Sequence, residues 1–202
     1  MQFLGLYTVS RKKKKLIDSQ QIASLKTSVS RASDEVAYKQ LFYYFHPLLR
    51  RFAFNLLGNT EIADEIVSDV LLKLWIMRGK MDLVQDLKLY LFKATKNACL
   101  NYIKSATHRN SQVTGQITEE DAVHHFTESE YSYSEIQQLI ADAVNQLPPK
   151  CQLVFRLIKE YGLSYAQVKE MMDISQNTIE THMKLALRKL KLVIDRYQNT
   201  QK

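Results

Sequence analysis

Apolar residues recur every three or four positions along most of this chain, the spacing that predicts one helix after another. The first strong run comprises Ala37, Leu41, Phe42, Phe45, Leu48, Leu49, Phe52, Ala53 and Leu56. Ser33-Asp34-Glu35 stands before it as a cap with an acidic first turn, where the helix dipole favours negative charge. Pro47 predicts a kink or break inside the run, and Gly58-Asn59 its stop. A second helix is expected over about 61–78, with Ala63, Ile66, Val67, Val70, Leu71, Leu74 and Trp75 as its stripe and Gly79 as its stop. Residues 82–87 read as a short connection. A third helix over about 87–104 carries Leu87, Leu91, Ala94 and Ala98 on one face, with Tyr90 and Tyr102 beside them.

The periodicity lapses from 106 to 133. His108 to Gln116 are polar and unpatterned, and Glu119-Glu120-Asp121 and Glu128-Ser129-Glu130 are acidic, which predicts a flexible tether. Phe126, Tyr131 and Tyr133 are the aromatics that could dock locally. Pattern returns with Ile136, Leu139, Ile140, Ala143, Val144 and Leu147, ending before Pro148-Pro149. A helix over 150–161 follows, with Val154, Phe155, Leu157 and Ile158 as its core and Gly162 in a left-handed cap. Two short helices joined by a tight turn complete the unit. The expected fold is all-α: two small helical domains joined by a flexible linker, with a C-terminal helix-turn-helix. The divisions are 1–32, a basic tail with room for a short helix; 33–105, a bundle; 106–133, the linker; and 134–196, the helix-turn-helix domain.

Composition supports helix and suggests an anionic partner. The 202 residues include only 5 Gly and 3 Pro, and the net charge is +7. Arg11-Lys12-Lys13-Lys14-Lys15 is a solvated basic run or a phosphate contact, and its place after an apolar stretch is wrong for a secretory signal. No apolar run reaches membrane length, and a cytoplasmic protein is expected. Cys99 and Cys151 lie far apart without neighbours at metal-ligand spacing, which predicts reduced, buried thiols.

The C-terminal pair carries the most specific chemistry. Ser164 can cap the first helix through the amide of Gln167, and Val168, Met171 and Met172 anchor it. Asp173-Ile174-Ser175 makes the turn, with Ile174 as a plug and Ser175 as the second cap. Ile179, Met183, Ala186, Leu187 and Leu190 are expected to face inward. That leaves Gln176, Asn177, Thr178, Glu180, Thr181 and Lys184 near the start of the second helix, with Arg188 further along. Asn and Gln suit adenine edges, Thr a thymine methyl and Glu a cytosine amine, while Lys184, Arg188, Lys189 and Lys191 suit phosphates.

Two helices of the first bundle also carry polar faces. Glu61, Asp64, Glu65, Ser68 and Asp69 give the 61–78 helix an acidic face suited to a basic protein partner. Lys88, Lys93, Lys96, Asn97, Asn101 and Lys104, interleaved with Tyr90, Phe92 and Tyr102, suit single-stranded nucleic acid, where bases stack and lysines pair with phosphates. The aromatics are equally consistent with core positions. The 79–86 loop could hold an extruded base.

Taken together, these segments resemble a sigma factor of RNA polymerase, of the small extracytoplasmic-function class, over about 37–191. Asp64 to Trp75 resembles the region 2.2 helix, and the likeness implies docking on the clamp coiled coil of the largest polymerase subunit through Glu61, Asp64, Glu65, Ser68, Asp69 and Leu72. Tyr90 to Lys104 resembles the region 2.3–2.4 helix, which implies that Lys88, Lys93, Lys96, Asn97, Asn101 and Lys104 meet the melted −10 element, with the 79–86 loop beside them. Leu147-Pro148-Pro149-Lys150-Cys151 opens a segment similar to region 4.1. The motif from Gly162 is similar to region 4.2, which implies −35 reading by Gln176, Asn177, Thr178, Glu180, Thr181, Lys184 and Arg188, and contact with the polymerase flap. The likeness also implies a membrane-anchored anti-sigma protein as partner, and the tyrosines and Asn97 resemble Bacteroides-type members. The chain departs from the family pattern in its all-lysine 88–104 segment, in Asn101 where Asp is frequent, and in Lys169 and Asp173 where Ala and Gly are usual.

No catalytic residue, cofactor, metal or small-molecule substrate is expected. The alternative is a conventional helix-turn-helix regulator that does not dock on polymerase, but the first half shows no βαβ receiver pattern. An enzyme would need a titratable cluster, and His108, His124, His125 and His182 are scattered. An anti-sigma or adaptor protein would need no major-groove helix.

Overall fold

The computed structural model describes residues 17–110 and 135–200, and every regular element among them is helical. The basic run at 11–15 and most of the linker expectation, including His124, His125, Phe126, Tyr131 and Tyr133, lie outside the described residues.

Helix α1, Ser19–Ala32, occupies the stretch where the sequence left room for a short helix. Its start is a capping box: Asp18 accepts from the Gln21 amide at 2.7 Å and the Gln21 side chain accepts from the Asp18 amide at 3.2 Å. Val29 is fully buried, and Ile22 and Leu25 pack beside it. Ser33 ends α1 in the left-handed region, φ 51°, so the cap of the next helix falls to Asp34, whose carboxylate accepts from the amides of Val36 and Ala37.

Helix α2, Glu35–Leu57, runs through Pro47 without a break. Proline removes one amide donor, and the acceptor it leaves belongs to Tyr43, on an exposed residue that water can serve. Phe45, Leu49 and Phe52, all fully buried, hold the turns on either side. Gly58 ends α2 at φ +67° as expected, and Asn59 caps α3, Thr60–Ile76. A 3₁₀ turn, Arg78–Leu83, follows where an irregular connection was expected. Helix α4, Leu87–Asn110, is capped by the Asp86 carboxylate on the Leu89 amide at 2.9 Å and extends past the expected end at 104.

The C-terminal half contains α5, Glu135–Asn145; α6, Pro149–Lys159; α7, Tyr165–Met172; and α8, Gln176–Thr200. Ser164 and Gln167 form the expected capping box on α7. Asp173 takes the left-handed turn, φ 52°, and Ser175 caps α8 by accepting from the Thr178 amide. Val168, Ile179, Met183, Ala186 and Leu190 form the core. Leu187 departs from the expected inward set: it is exposed, because Met183, Ala186 and Leu190 already fill the buried stripe one turn to the side.

The two halves share a core. Tyr161, 3% exposed, inserts its ring between Phe52 of α2 and Phe92 of α4, with centroids 5.7 and 5.5 Å away. Phe52 and Phe92 are themselves 5.2 Å apart, so the three rings form a closed triangle.

Candidate nucleic-acid interface

Three surfaces carry the residues singled out from the sequence. On α8 the buried stripe turns the polar positions outward. Gln176, Asn177, Thr181, Lys184 and Arg188 are exposed, and Thr178 and Glu180 are half-buried. The Gln176 amide donates to Glu180 at 3.1 Å, and the Thr181 hydroxyl donates to the Asn177 carbonyl at 2.9 Å. The first bond orients the Glu180 carboxylate along the helix rather than toward an approaching phosphate. The α8 amino terminus also carries the positive end of the helix dipole, which favours an anion.

On α3, Glu61, Glu65, Ser68, Asp69 and Leu72 are exposed along one stripe that continues to Ile76. Leu72 and Ile76 are 55% and 68% exposed, so the face is acidic at one end and apolar at the other. Ile76 was not singled out in the sequence, although it stands one turn beyond Leu72 on the same face. Asp64 lies to the side, paired with Arg50 at 3.1 Å and within 3.5 Å of His46.

The α4 set is divided. Asn97, Asn101 and Lys104 are exposed. Lys88, Lys93 and Lys96 reach across to the C-terminal half instead. Lys88 donates to the Gly162 carbonyl at 2.7 Å, Lys96 donates to the Met171 carbonyl at 2.9 Å, and Lys93 pairs with Glu170 at 2.8 Å. Burial pushes the Lys88 ammonium down from its ordinary pKa, partly offset by the Asp86 carboxylate. Phe92 is fully buried against Tyr161, so of the three aromatics only Tyr90 and Tyr102 stay near the surface. Tyr90 donates to the Met77 sulfur at 3.1 Å.

The 3₁₀ turn ahead of α4 is held from outside by α1. Lys26 donates to the Val84 carbonyl at 2.7 Å, Arg31 lies 3.5 Å from Asp82, and Arg78 donates to the Ser33 hydroxyl at 3.1 Å. The Arg78 guanidinium also covers the Trp75 ring at 4.6 Å, a cation–π contact. Met81 is buried, and Leu83 is left 78% exposed at the tip.

No group of His, Cys, Asp and Glu able to hold a metal occurs among the described residues, and no described helix is long and apolar enough to cross a membrane. Cys99 and Cys151 are buried, and burial pushes the Cys99 thiol up to about 12.

Comparison with known proteins decides the family. Residues 41–109 match Sigma-70 region 2, and residues 137–190 match Sigma-70, region 4. The chain belongs to the sigma-70 family. Among its relatives is the ECF RNA polymerase sigma factor SigL of Mycobacterium tuberculosis, 27% identical over 165 residues that cover 81% of this chain and 92% of that one. The sigma factor BldN of Streptomyces coelicolor is 23% identical over 162 residues, 80% of this chain and 61% of its own. Two solved structures share the fold. The sigma factor RpoE of Bartonella quintana, in complex with the anti-sigma factor NepR, has a TM-score of 0.56 at 21% identity, covering 78% of this chain and 96% of that one. CnrH, in complex with the cytosolic domain of CnrY, has a TM-score of 0.50 at 16% identity, covering 88% and 96%. This ECF sigma factor therefore directs promoter recognition for transcription initiation, by binding and without enzymatic chemistry of its own.

Proposed function

We propose that the three surfaces divide the work of initiation. The α3 stripe of Glu61, Glu65, Ser68, Asp69 and Leu72, extended by Ile76 and flanked by Asp64, docks on core polymerase at the clamp coiled coil. Charge complementarity steers that contact and the two exposed apolar side chains hold it. The α8 residues Gln176, Asn177, Thr178, Glu180, Thr181, Lys184 and Arg188 read the −35 element in duplex form. Lys88, Lys93, Lys96, Asn97, Asn101 and Lys104, with the 3₁₀ turn, hold the melted −10 strand through phosphates and stacking. The flap contacts the C-terminal half.

One observation carries this reading: each matched region presents its own exposed polar helix on a filled core, α3 in one and α8 in the other. An inhibitor of the anti-sigma kind, anchored in the membrane, completes the proposal. One of the two solved neighbours, RpoE, is described in complex with the anti-sigma factor NepR, which supports the class of partner. The site of action is the cytoplasm, where polymerase and promoters meet.

The test is transcription in vitro with purified core polymerase on genomic fragments of the source organism. New start sites are expected with this protein. The double variant Asp69→Lys with Leu72→Glu should abolish them and weaken core binding at least ~30-fold, the loss expected when central contacts of an interface are reversed. Sequence-specific duplex binding without core binding or new starts would make the chain a conventional regulator.

A further inference from the structure

We propose that the α4 face is a surface with two competing partners: melted promoter DNA, and residues 160–171 of the same chain. The inference rests on the −10 role given to α4 above, and goes beyond it by assigning the free protein a closed state that blocks that role.

The contact is continuous. Along α2 and α4, Arg51 pairs with Glu160 at 3.0 Å, Asn55 donates to the Tyr161 hydroxyl, Lys88 takes the Gly162 carbonyl, Lys93 takes Glu170 and Lys96 takes the Met171 carbonyl. Asp86 accepts from the Gln167 side chain at 2.6 Å. Three of the six lysines and asparagines assigned to the −10 strand are thus already occupied. Each ammonium gives one of its three N–H bonds to this contact, which draws Lys88, Lys93 and Lys96 to the C-terminal half for as long as the contact lasts.

The strength of the contact is uneven. Tyr161 is sealed from water, its ring is enclosed by two fully buried phenylalanines, and its hydroxyl is satisfied by Asn55. Glu160 is buried beside it, held by Arg51 and Arg156. Lys93 and Glu170 are exposed, and an exposed pair contributes little. A cleft of about 680 Å³, lined by Asp86, Lys88, Gly162 and Gln167, opens beside the rim. Tyr161 is therefore the latch, and the lysine contacts are the cover it holds in place.

The cover is selective. Among the described residues, the hydrogen bonds and ion pairs named above all reach positions between 160 and 171. Gln176, Asn177, Thr181, Lys184 and Arg188 of α8 stay exposed, as does the α3 stripe of Glu61, Glu65, Ser68, Asp69 and Leu72. The closed chain therefore keeps its duplex-reading and core-docking surfaces available while its melted-strand surface is shut. Affinity for the melted strand is reduced by the fraction of molecules that are open.

The experiment follows opening and binding together in the full-length chain. Donor and acceptor dyes go on cysteines introduced at Lys73→Cys and Lys191→Cys; the native thiols are buried and unlabelled. Tyr161→Ala removes the latch. Asn55→Ala, on the other half, leaves the Tyr161 hydroxyl without its donor while keeping the aromatic ring, a milder change to the same contact; circular dichroism confirms helix content in both. Neither adds charge, so neither raises DNA affinity by electrostatics alone. A single-stranded 12-mer, the non-template strand upstream of a start site mapped with the holoenzyme, serves as the probe. The expected result is a short distance in the unaltered chain and a longer one in both variants. Binding of the 12-mer should tighten ~10-fold or more, in line with truncation of a buried interface aromatic, while duplex binding stays unchanged. A distance already long in the unaltered chain overturns the proposal. So does opening without a gain in 12-mer binding. Start sites from the unaltered holoenzyme are mapped in parallel: their absence removes the −10 role itself, whereas their presence with no opening removes only the latch.

Discussion

Two residues outside any interface carry recoverable stability. Ser33 and Asp173 occupy the left-handed region at φ 51° and 52°, where a Cβ is strained and glycine is not. Asp173→Gly is expected to stabilise the chain by about 0.5–1 kcal/mol, read as a rise in melting temperature with unchanged helix content. Cys99 sets a pH dependence. Its folded pKa of about 12 lies above the ordinary 9.0 because burial disfavours the thiolate. The stability it contributes is complete below pH 9 and is lost as pH rises through 12. Cys99→Ala should flatten that alkaline loss in urea titrations made between pH 8 and 11. Caps were readable at this scale because a cap is a local bond: Ser164 with Gln167 and Ser175 with Thr178 stand as the sequence placed them. The cap of α2 moved from Ser33 to Asp34 because α1 claims Ser33 for its own end, and nothing local announces that.

Among the helices, α1 shows what pattern alone left open. Its stripe is short, with Val29 fully buried and Ile22 and Leu25 beside it, so its sequence offers no more than room for a short helix. Its value is positional. The Lys26 ammonium on the Val84 carbonyl ties it to the 3₁₀ turn that leads into α4. Lys26→Met keeps the stem and removes that bond. It should lower open-complex formation several-fold, read by permanganate footprinting of melted thymines, with core binding and duplex binding unaltered. Charge loss at a phosphate contact would instead steepen or flatten the salt dependence, so a salt titration separates the two causes. Pro47 is the converse case: a strong local signal for a break, overruled by three buried side chains around it.

For the molecule as a whole, the sequence held the order of helices and the three polar faces, because periodicity and residue chemistry both record them. It did not show that the halves touch. Phe92 looked like an available stacking residue on a basic helix, and only the arrival of Tyr161 makes it core. A contact between residues 106 positions apart, such as Asn55 with Tyr161, leaves no periodic trace. With α8 uncovered, the free chain should bind duplex promoter DNA without polymerase. Lys184→Ala should weaken all duplexes about equally, and Asn177→Ala should lose about 1–3 kcal/mol of discrimination at one base pair, both measured by fluorescence anisotropy.

The all-lysine composition of the 88–104 segment of α4 acquires a reason from the partners those lysines meet. Lys88 and Lys96 each end on a single backbone carbonyl. A compact ammonium fits one oxygen, whereas a forked guanidinium is shaped for two. Arginine at either position would grip a phosphate better and a lone carbonyl worse, so one exchange would shift the balance between the two occupants from both sides. Such positions are selected twice. In a set of related chains, they should vary together with the residues that flank the carbonyls at 162 and 171, and directed evolution for higher activity should find them early.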